Sequence, residues 1–189
     1  MRIKFVLLPV ILFLISGCAA TGPSYTSLKS TISQLQSDNA RIYFLREGSF
    51  VNSALTARVH LNGIKVVDLN MDGFTYVNRP AGNLLIMVDA PLNFGEAKKM
   101  FTVESGKTYY FFVANDSSNV MAGLIGGAIG AAAEGGGRFA FYQIPEAIAL
   151  EQLKTKKLSG KPAQDRRRGA HEGDAEGPRP VSQHHKGRN

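Results

Sequence analysis

The stretch Thr56-Ala57-Arg58-Val59-His60-Leu61-Asn62-Gly63-Ile64-Lys65-Val66-Val67-Asp68-Leu69 decides the fold. The run from Thr56 to Leu61 alternates, a β-prone run resumes at Ile64, and Asn62-Gly63 lies between them. Asn-Gly accepts positive φ at both central positions of a two-residue turn, so the pattern predicts a tight antiparallel hairpin. Working outward, Arg41 to Arg46 is β-prone and bounded by Asn39 and by Gly48-Ser49, which makes it a strand. Phe74 to Val77 is another short strand, closed by Pro80-Ala81-Gly82, and Asn83 to Asp89 is a dense apolar run suited to a buried strand. Ala97 to Val103, with Lys98 and Lys99, reads as an exposed or edge strand before the Ser105-Gly106 turn. Lys107 to Ala114 is aromatic and β-branched and predicts a core strand; Arg138 to Ile144 returns to alternation. Short strands at close spacing with turn residues between them predict a mainly β chain, a compact antiparallel β-sandwich rather than βαβ units.

Pro145 fits the first position of a helix, where its missing N–H costs nothing, and Glu146 complements the N-terminal dipole. The helix is expected over 146–158, with Ile148, Leu150 and Leu153 on its apolar stripe, basic Lys154, Lys156 and Lys157 near its end, and Ser159-Gly160 as its stop. The domain then covers 40–158. Residues 159–189 hold almost no apolar side chains and much Gly, Pro and charge, and are expected to be a disordered basic tail. Of the formal net charge of +7, most falls between Lys154 and Asn189, where ten Lys or Arg face four acids. A basic balance raises nucleic-acid binding as a class. In an exported chain, anionic envelope polymers or lipids are the partners within reach of such a tail, and nucleic acid is not expected.

Export is read from the first residues. Arg2 and Lys4 form a positive start, and Phe5 to Ile15 an apolar run that as a helix covers on the order of 16 Å against a ~30 Å hydrocarbon core. This predicts a signal peptide over 1–17 rather than a membrane span. Cys18, the chain's only cysteine, follows Leu14-Ile15-Ser16-Gly17, an arrangement that resembles the lipobox of bacterial lipoproteins. That resemblance implies cleavage before Cys18, diacylglycerol on its sulfur and a further acyl chain such as palmitate on its amine. More than one acyl chain gives stable membrane attachment. Ala19 is not the aspartate of inner-membrane retention, so the implied address is the outer membrane, facing the periplasm. Residues 18–39, rich in Ser, Thr and Gln with Leu28, Ile32 and Leu35 at helical spacing, are expected to be a lipidated tether holding the domain off the membrane.

Within the domain, Ala40-Arg41-Ile42-Tyr43-Phe44-Leu45-Arg46, Val59-His60-Leu61-Asn62-Gly63, Asp68-Leu69, Gly73-Phe74-Thr75-Tyr76, Pro80-Ala81-Gly82 and Gly106-Lys107-Thr108-Tyr109-Tyr110-Phe111 follow one another in an order that resembles a family of small bacterial lipoproteins. Their shared domain is known only as domain of unknown function 2846. The pattern also resembles short β modules of surface-layer-like and envelope proteins. The resemblance covers about Ala40 to Ala114, with Arg138 to Leu153 in addition. It implies fold and envelope location and brings no active residues with it.

Residues 119–137 break the strand pattern. Gly123, Gly127, Ala131 and Gly135 recur every fourth residue, with Gly126 and Gly130 beside them. On a helix they would form the smooth stripe of close membrane packing. Each glycine costs a helix in water ~0.8–1 kcal/mol, so such a helix needs lipid or a partner. Two readings stand: a Gly-Ala excursion between strands, or a glycine-zipper-like segment in which Gly123, Gly126, Gly127 and Gly130 make a membrane or self-association contact. Phosphate cradling is excluded, because no Gly-Lys-Ser/Thr follows.

The remaining candidates for chemistry have plainer explanations. His171, His184 and His185 lie in the polar tail without a scaffold. His60 has no serine or cysteine nucleophile at a recognised spacing, and Asp68 and Asp72 flank a turn, where short carboxylates cap backbone N–H groups. The Tyr109 to Phe112 run fits an alternating core better than a ligand wall, and Arg166-Arg167-Arg168 fits a solvated run. No catalytic residues, metal site or cofactor are expected. The expectation is a non-enzymatic, lipid-anchored envelope protein, a binding or structural module with a homo-oligomeric or envelope-protein partner. The alternative is an accessory subunit of an envelope enzyme or transport complex.

Overall fold

A computed structural model describes residues 19–48, 54–92, 95–115 and 137–160. The expected strands form. In chain order they are β1 (Asn39–Arg46), β2 (Ala57–Leu61), β3 (Ile64–Leu69), β4 (Gly73–Pro80), β5 (Gly82–Asp89), β6 (Glu96–Val103), β7 (Thr108–Asn115), β8 (Phe139–Gln143) and β9 (Lys157–Leu158). Among the described residues two helices accompany them, α1 (Tyr25–Leu28) and α2 (Glu146–Leu153). The strands make two packed sheets, one ordered β8-β7-β1-β4-β9 and one ordered β3-β2-β5-β6, which is the β-sandwich read from the sequence.

The hairpin that decides the fold joins β2 to β3, with Asn62 at φ 50° and Gly63 at φ 79°, as a mirror-image turn requires. Asn62 also does cross-strand work: its side-chain Oδ1 accepts from Leu85 N at 2.9 Å and its backbone N–H donates to the Leu85 carbonyl at 2.9 Å, tying the turn to β5. Most strand pairs are antiparallel, as expected. Two are not: β1 runs parallel to β7, Ile42 beside Tyr109 and Phe44 beside Phe111, and β4 runs parallel to β9.

The five-stranded sheet is buried on both faces. Toward the other sheet, Ile42, Phe44, Val77, Phe111, Val113 and Phe141 meet Val59, Leu61, Val67, Ile86 and Val88 in the main core. On its outer face Tyr43, Leu45, Phe74, Tyr76, Tyr110 and Phe112 form a second cluster, covered by Ala149 and Leu153 of α2, by Leu158, and by Tyr25, Leu28 and Ile32. A strand covered on both sides gains ~1.5–3 kcal/mol for each large apolar side chain on either face. That explains why β1 and β7 read as continuous apolar and aromatic runs, whereas β2, covered on one face, alternates.

Three local expectations are corrected. The helix ends at Leu153 rather than near 158, and Pro145 is its N-cap, one position earlier than expected, its carbonyl accepting from Ala149 N at 3.0 Å. The chain then extends, because Leu158 reaches the outer cluster and pairs with Phe74 only from an extended backbone. Leu150, placed on the buried stripe by its spacing, is exposed; Ala149 takes the buried position. The described part of the expected tether is not a free spacer. Ala20 N donates to Met71 O (3.0 Å), Gly22 N to Leu158 O (3.2 Å), Leu158 N to Pro23 O (2.9 Å) and Tyr25 N to Lys156 O (3.0 Å), so residues 19–25 lie along the β9 edge as a strap. Ser24 caps α1 through its side chain, and Tyr25 seats edge-on against Phe74 at 5.5 Å and Tyr43 at 6.3 Å.

Candidate functional site

Strand directions gather the charged and irregular features at one end of the sandwich. The C-termini of β1, β3, β5 and β7 and the N-termini of β2, β4, β6 and β8 all lie there, as the pairings Leu45–Phe74, Arg46–Val113, Ala57–Leu69, Asp89–Glu96 and Asn115–Phe139 require. A backbone bridge between Gly95 and Gly137 joins the two sheets at this end. The opposite end consists of tight polar turns, Asn62-Gly63, Ala81-Gly82-Asn83 and Glu104-Ser105-Gly106-Lys107, all exposed.

On the four-stranded sheet, Arg58 and His60 sit two residues apart on β2 and therefore share its outward face. Asp89, directly across from Arg58 on β5, receives both: Arg58 Nε reaches Oδ1 at 2.8 Å and Nη2 reaches Oδ2 at 2.9 Å, while His60 Nε2 lies 3.3 Å from Oδ1. Arg58 Nη2 donates in addition to the Ala90 carbonyl at 2.8 Å. A pocket of about 280 Å³ opens beside this group, lined by Arg58, Asp89, Ala90, Gly95 and Glu96. Bidentate pairing spends the guanidinium fork on Asp89, so the cluster braces β2 against β5 and orients the imidazole.

On the five-stranded sheet the same end holds buried cations. Arg46 donates from Nη1 to the Leu69 carbonyl at 2.9 Å and lies over the Phe139 ring at 4.7 Å. Glu47 Oε2 accepts from the Asn115 backbone and side chain at 3.3 and 3.4 Å, closing the β1–β7 pair. The Lys156 side chain, 4 % exposed, carries its ammonium to Asp72 Oδ1 at 2.6 Å; Asp72 itself is half-exposed at φ 55°. Burying an ammonium is tolerated only with such a partner. Lys156 therefore does not join the basic helix end the sequence suggests; it pins the β3–β4 connection to the start of β9.

The outer cluster is the other concentration of polar groups. Tyr43 and Tyr110 stack with centroids 5.3 Å apart, Tyr43 lies 5.6 Å from Tyr76, and Arg41 sits over Tyr76 at 5.4 Å while donating to Asn78 Oδ1 and to the Ser33 carbonyl. Burial pushes the Tyr43 phenol up to about 12, and burial together with the hydrogen bond it donates to Glu146 Oε1 at 3.1 Å pushes Tyr110 up further. These phenols stay protonated at physiological pH, and Tyr110 serves as a donor inside an apolar layer. The Tyr109 to Phe112 run is thus alternating core, as expected, with Phe111 facing one cluster and Tyr110 and Phe112 the other.

Cys18 lies outside the described residues, as do Gly123, Gly126, Gly127 and Gly130, the tail histidines and Arg166 to Arg168. The attachment points of the first two groups are described: Ala19 bridges to Met71 at the charged end, and Asn115 and Gly137, which flank the glycine-rich connection, are at that end too. Asp68 pairs with Lys65 at 2.9 Å on the surface. Among the described residues no group of three His, Cys, Asp or Glu side chains is placed to hold a metal ion, and no helix is long and apolar enough to cross a membrane. Sequence reasoning missed the strap and the Asp72–Lys156 pair. The strap's only advance signal was Tyr25, three residues before Leu28 and seven before Ile32, which completes an apolar stripe.

The model of a family described as a protein of unknown function, DUF2846, matches residues 36–128, which bears out the resemblance drawn from the sequence. The match begins just before β1 and runs past β7; the strap, β8, α2 and β9 lie beyond it. No curated protein and no solved structure matches the chain significantly.

Proposed function

We propose, taking as premise that residues 36–128 carry the DUF2846 pattern, that this chain is a lipid-anchored protein of the bacterial cell envelope. In this reading it is a non-enzymatic binding or structural module, held in the outer membrane through acylated Cys18 and facing the periplasm. The glycine-zipper-like residues Gly123, Gly126, Gly127 and Gly130 supply a membrane or self-association contact. The observation that carries the reading is the placement of Ala19. It is the residue after the lipobox cysteine, and it already belongs to the fold through Met71. Cleavage before Cys18 would leave Ala19 as the second residue of the mature chain and would put the acyl chains directly at the domain's surface.

The test is membrane fractionation with intact mass spectrometry on the wild type and on Cys18→Ala. The expected result is an acyl mass on Cys18 with recovery in the outer membrane, both lost in the variant. A soluble, unacylated mature chain in the wild type would overturn the proposal. Detergent-resistant oligomers abolished by Gly127→Leu would assign the glycine stripe to self-association.

A further inference from the structure

We infer that the end of the sandwich bearing Met71 and Leu92 is the surface that lies against the lipid bilayer, so that the domain stands end-on at the membrane with its polar turns farthest from it. The inference rests on acylation of Cys18 as proposed above, and goes beyond it by fixing which surface meets lipid.

The first support is the strap. Consecutive Cα atoms are ~3.8 Å apart, so an acylated Cys18 is held within one residue of Ala19, which bridges to Met71 in the β3–β4 connection. One backbone hydrogen bond ties Ala20 to Met71 and three fix residues 22–25 along Lys156 to Leu158, and the rings of Tyr25, Tyr43 and Phe74 lock the far end of the strap. A free tether of twenty residues would let the domain sample every orientation. A strap bonded from Ala20 onward leaves the acyl chains one point of departure, at this end.

The second support is independent of the strap. Leu92, in the connection between β5 and β6 at the same end, is 80 % exposed and stands at φ 69°, a conformation that disfavours a bulky side chain. An aliphatic side chain displayed on strained backbone gains nothing in water, but burying it in the acyl boundary is worth ~1.5–3 kcal/mol. Met71 follows β3, at one edge of the β3-β2-β5-β6 sheet, and Leu92 lies between β5 and β6, two to three strand spacings away, ~10–14 Å at ~4.8 Å per strand. Anchor and aliphatic contact thus define a footprint across the end of the sandwich rather than a single point. The opposite end carries the exposed polar turns, with Ile64 beside one of them, ~25 Å away along eight-residue strands.

Ile64 supplies the control. Among the described residues it is the most exposed large apolar side chain after Leu92, 69 % exposed, and it follows the Asn62-Gly63 turn at the far end. Because Cys18 is the only native cysteine and its sulfur is consumed by acylation, Leu92→Cys and Ile64→Cys each give one labelling site in the full acylated chain. Both variants would be reconstituted in phosphatidylethanolamine–phosphatidylglycerol vesicles, labelled with an environment-sensitive fluorophore and exposed to nitroxide-bearing lipid. The expected result is a blue shift and loss of fluorescence at 92 and neither at 64. Equal quenching at both sites, or quenching at neither, in a chain that floats with the vesicles and carries the acyl mass would overturn the end-on seating while leaving the lipoprotein reading intact. An unacylated chain that does not float would overturn both. Adding Gly22→Val to the Leu92→Cys chain, which breaks the strap, is expected to keep flotation and reduce quenching at 92; full retention would show that the strap does not set the orientation and would overturn it.

Discussion

Gly22→Ala tests whether the strap is part of the fold. Where a glycine has room and ordinary backbone angles, alanine stabilises a protein by ~0.4–1 kcal/mol through the unfolded chain. At Gly22 the added Cβ would meet the Leu158 carbonyl oxygen at 2.3 Å, with Leu158 Cβ at 3.0 Å. The strands must part by about 0.7 Å before that contact reaches the 3.0 Å that real Cβ atoms respect, which stretches the 3.2 Å Gly22–Leu158 hydrogen bond beyond bonding length. One net backbone bond is worth ~0.5–1.5 kcal/mol. If the Leu158–Pro23 bond and the two Tyr25 ring contacts follow, each contributes a similar amount, and the total reaches ~2–6 kcal/mol. Urea denaturation of the mature Cys18→Ala chain, with and without Gly22→Ala, measures the difference, and hydrogen exchange at Gly22, Tyr25 and Leu158 localises it. The expected outcome is destabilisation of ~2 kcal/mol or more with those amides deprotected. Equal or greater stability in the alanine variant would refute the argument, since alanine helps only where Gly22 is not packed against Leu158.

Asp72→Ala is expected to cost ~1–3 kcal/mol by leaving the Lys156 ammonium without its partner, less than for a fully buried pair because Asp72 is half-exposed. Lys156→Met in that background should recover most of the loss in a double-mutant cycle followed by denaturation, and no coupling between the two sites would contradict the pairing. The buried tyrosines predict alkaline sensitivity. Tyr43 has a folded pKa raised to about 12 from 10.0, so the native state holds its proton more tightly than the unfolded chain does. That contribution is complete below pH 10 and is lost as pH rises through about 12. Unfolding midpoints followed from pH 9 to 12 should fall, less steeply in Tyr43→Phe, and phenolate absorbance should lag behind that of the unfolded chain; identical titration curves for the two states would rule the burial effect out.

Local chemistry made much of this fold readable in advance. The Asn62-Gly63 hairpin, the strand over Asn83 to Asp89 and the edge strand bearing Lys98 and Lys99 each carry their reason in adjacent residues, in turn geometry, alternation or charge. Partner choice does not work that way. Nothing within Arg41 to Arg46 or Thr108 to Val113 says that these runs lie side by side and parallel; their continuous apolar character says only that both faces will be covered. The polarity of Ser24, Thr26 and Ser27 hid the strap, because its bonds run through backbone N–H groups, which every sequence possesses. Lys156 was misread for a related reason: a lysine among lysines looks solvated, and only the sheet brings Asp72, 84 positions away, to its ammonium. At the candidate end, Arg58 and Asp89 are separately visible as charged residues in strands, but their pairing waits on the β2–β5 register.

The central position of β1 has a consequence for the order of assembly. It is the first strand to be synthesised, yet its neighbours are β4 and β7, so its parallel partner is absent until Asn115 has been made. The β9 edge appears later still, with Leu158, and only then do Gly22, Pro23 and Tyr25 have their backbone partners. Contacts between the two ends of a chain must bear the closure entropy of everything between them, and they form late. The residues beside Cys18 are therefore the earliest made and the last placed. On the proposed route this delay leaves the cysteine open to acylating enzymes throughout translocation, and the finished fold then draws its lipid-bearing end into register.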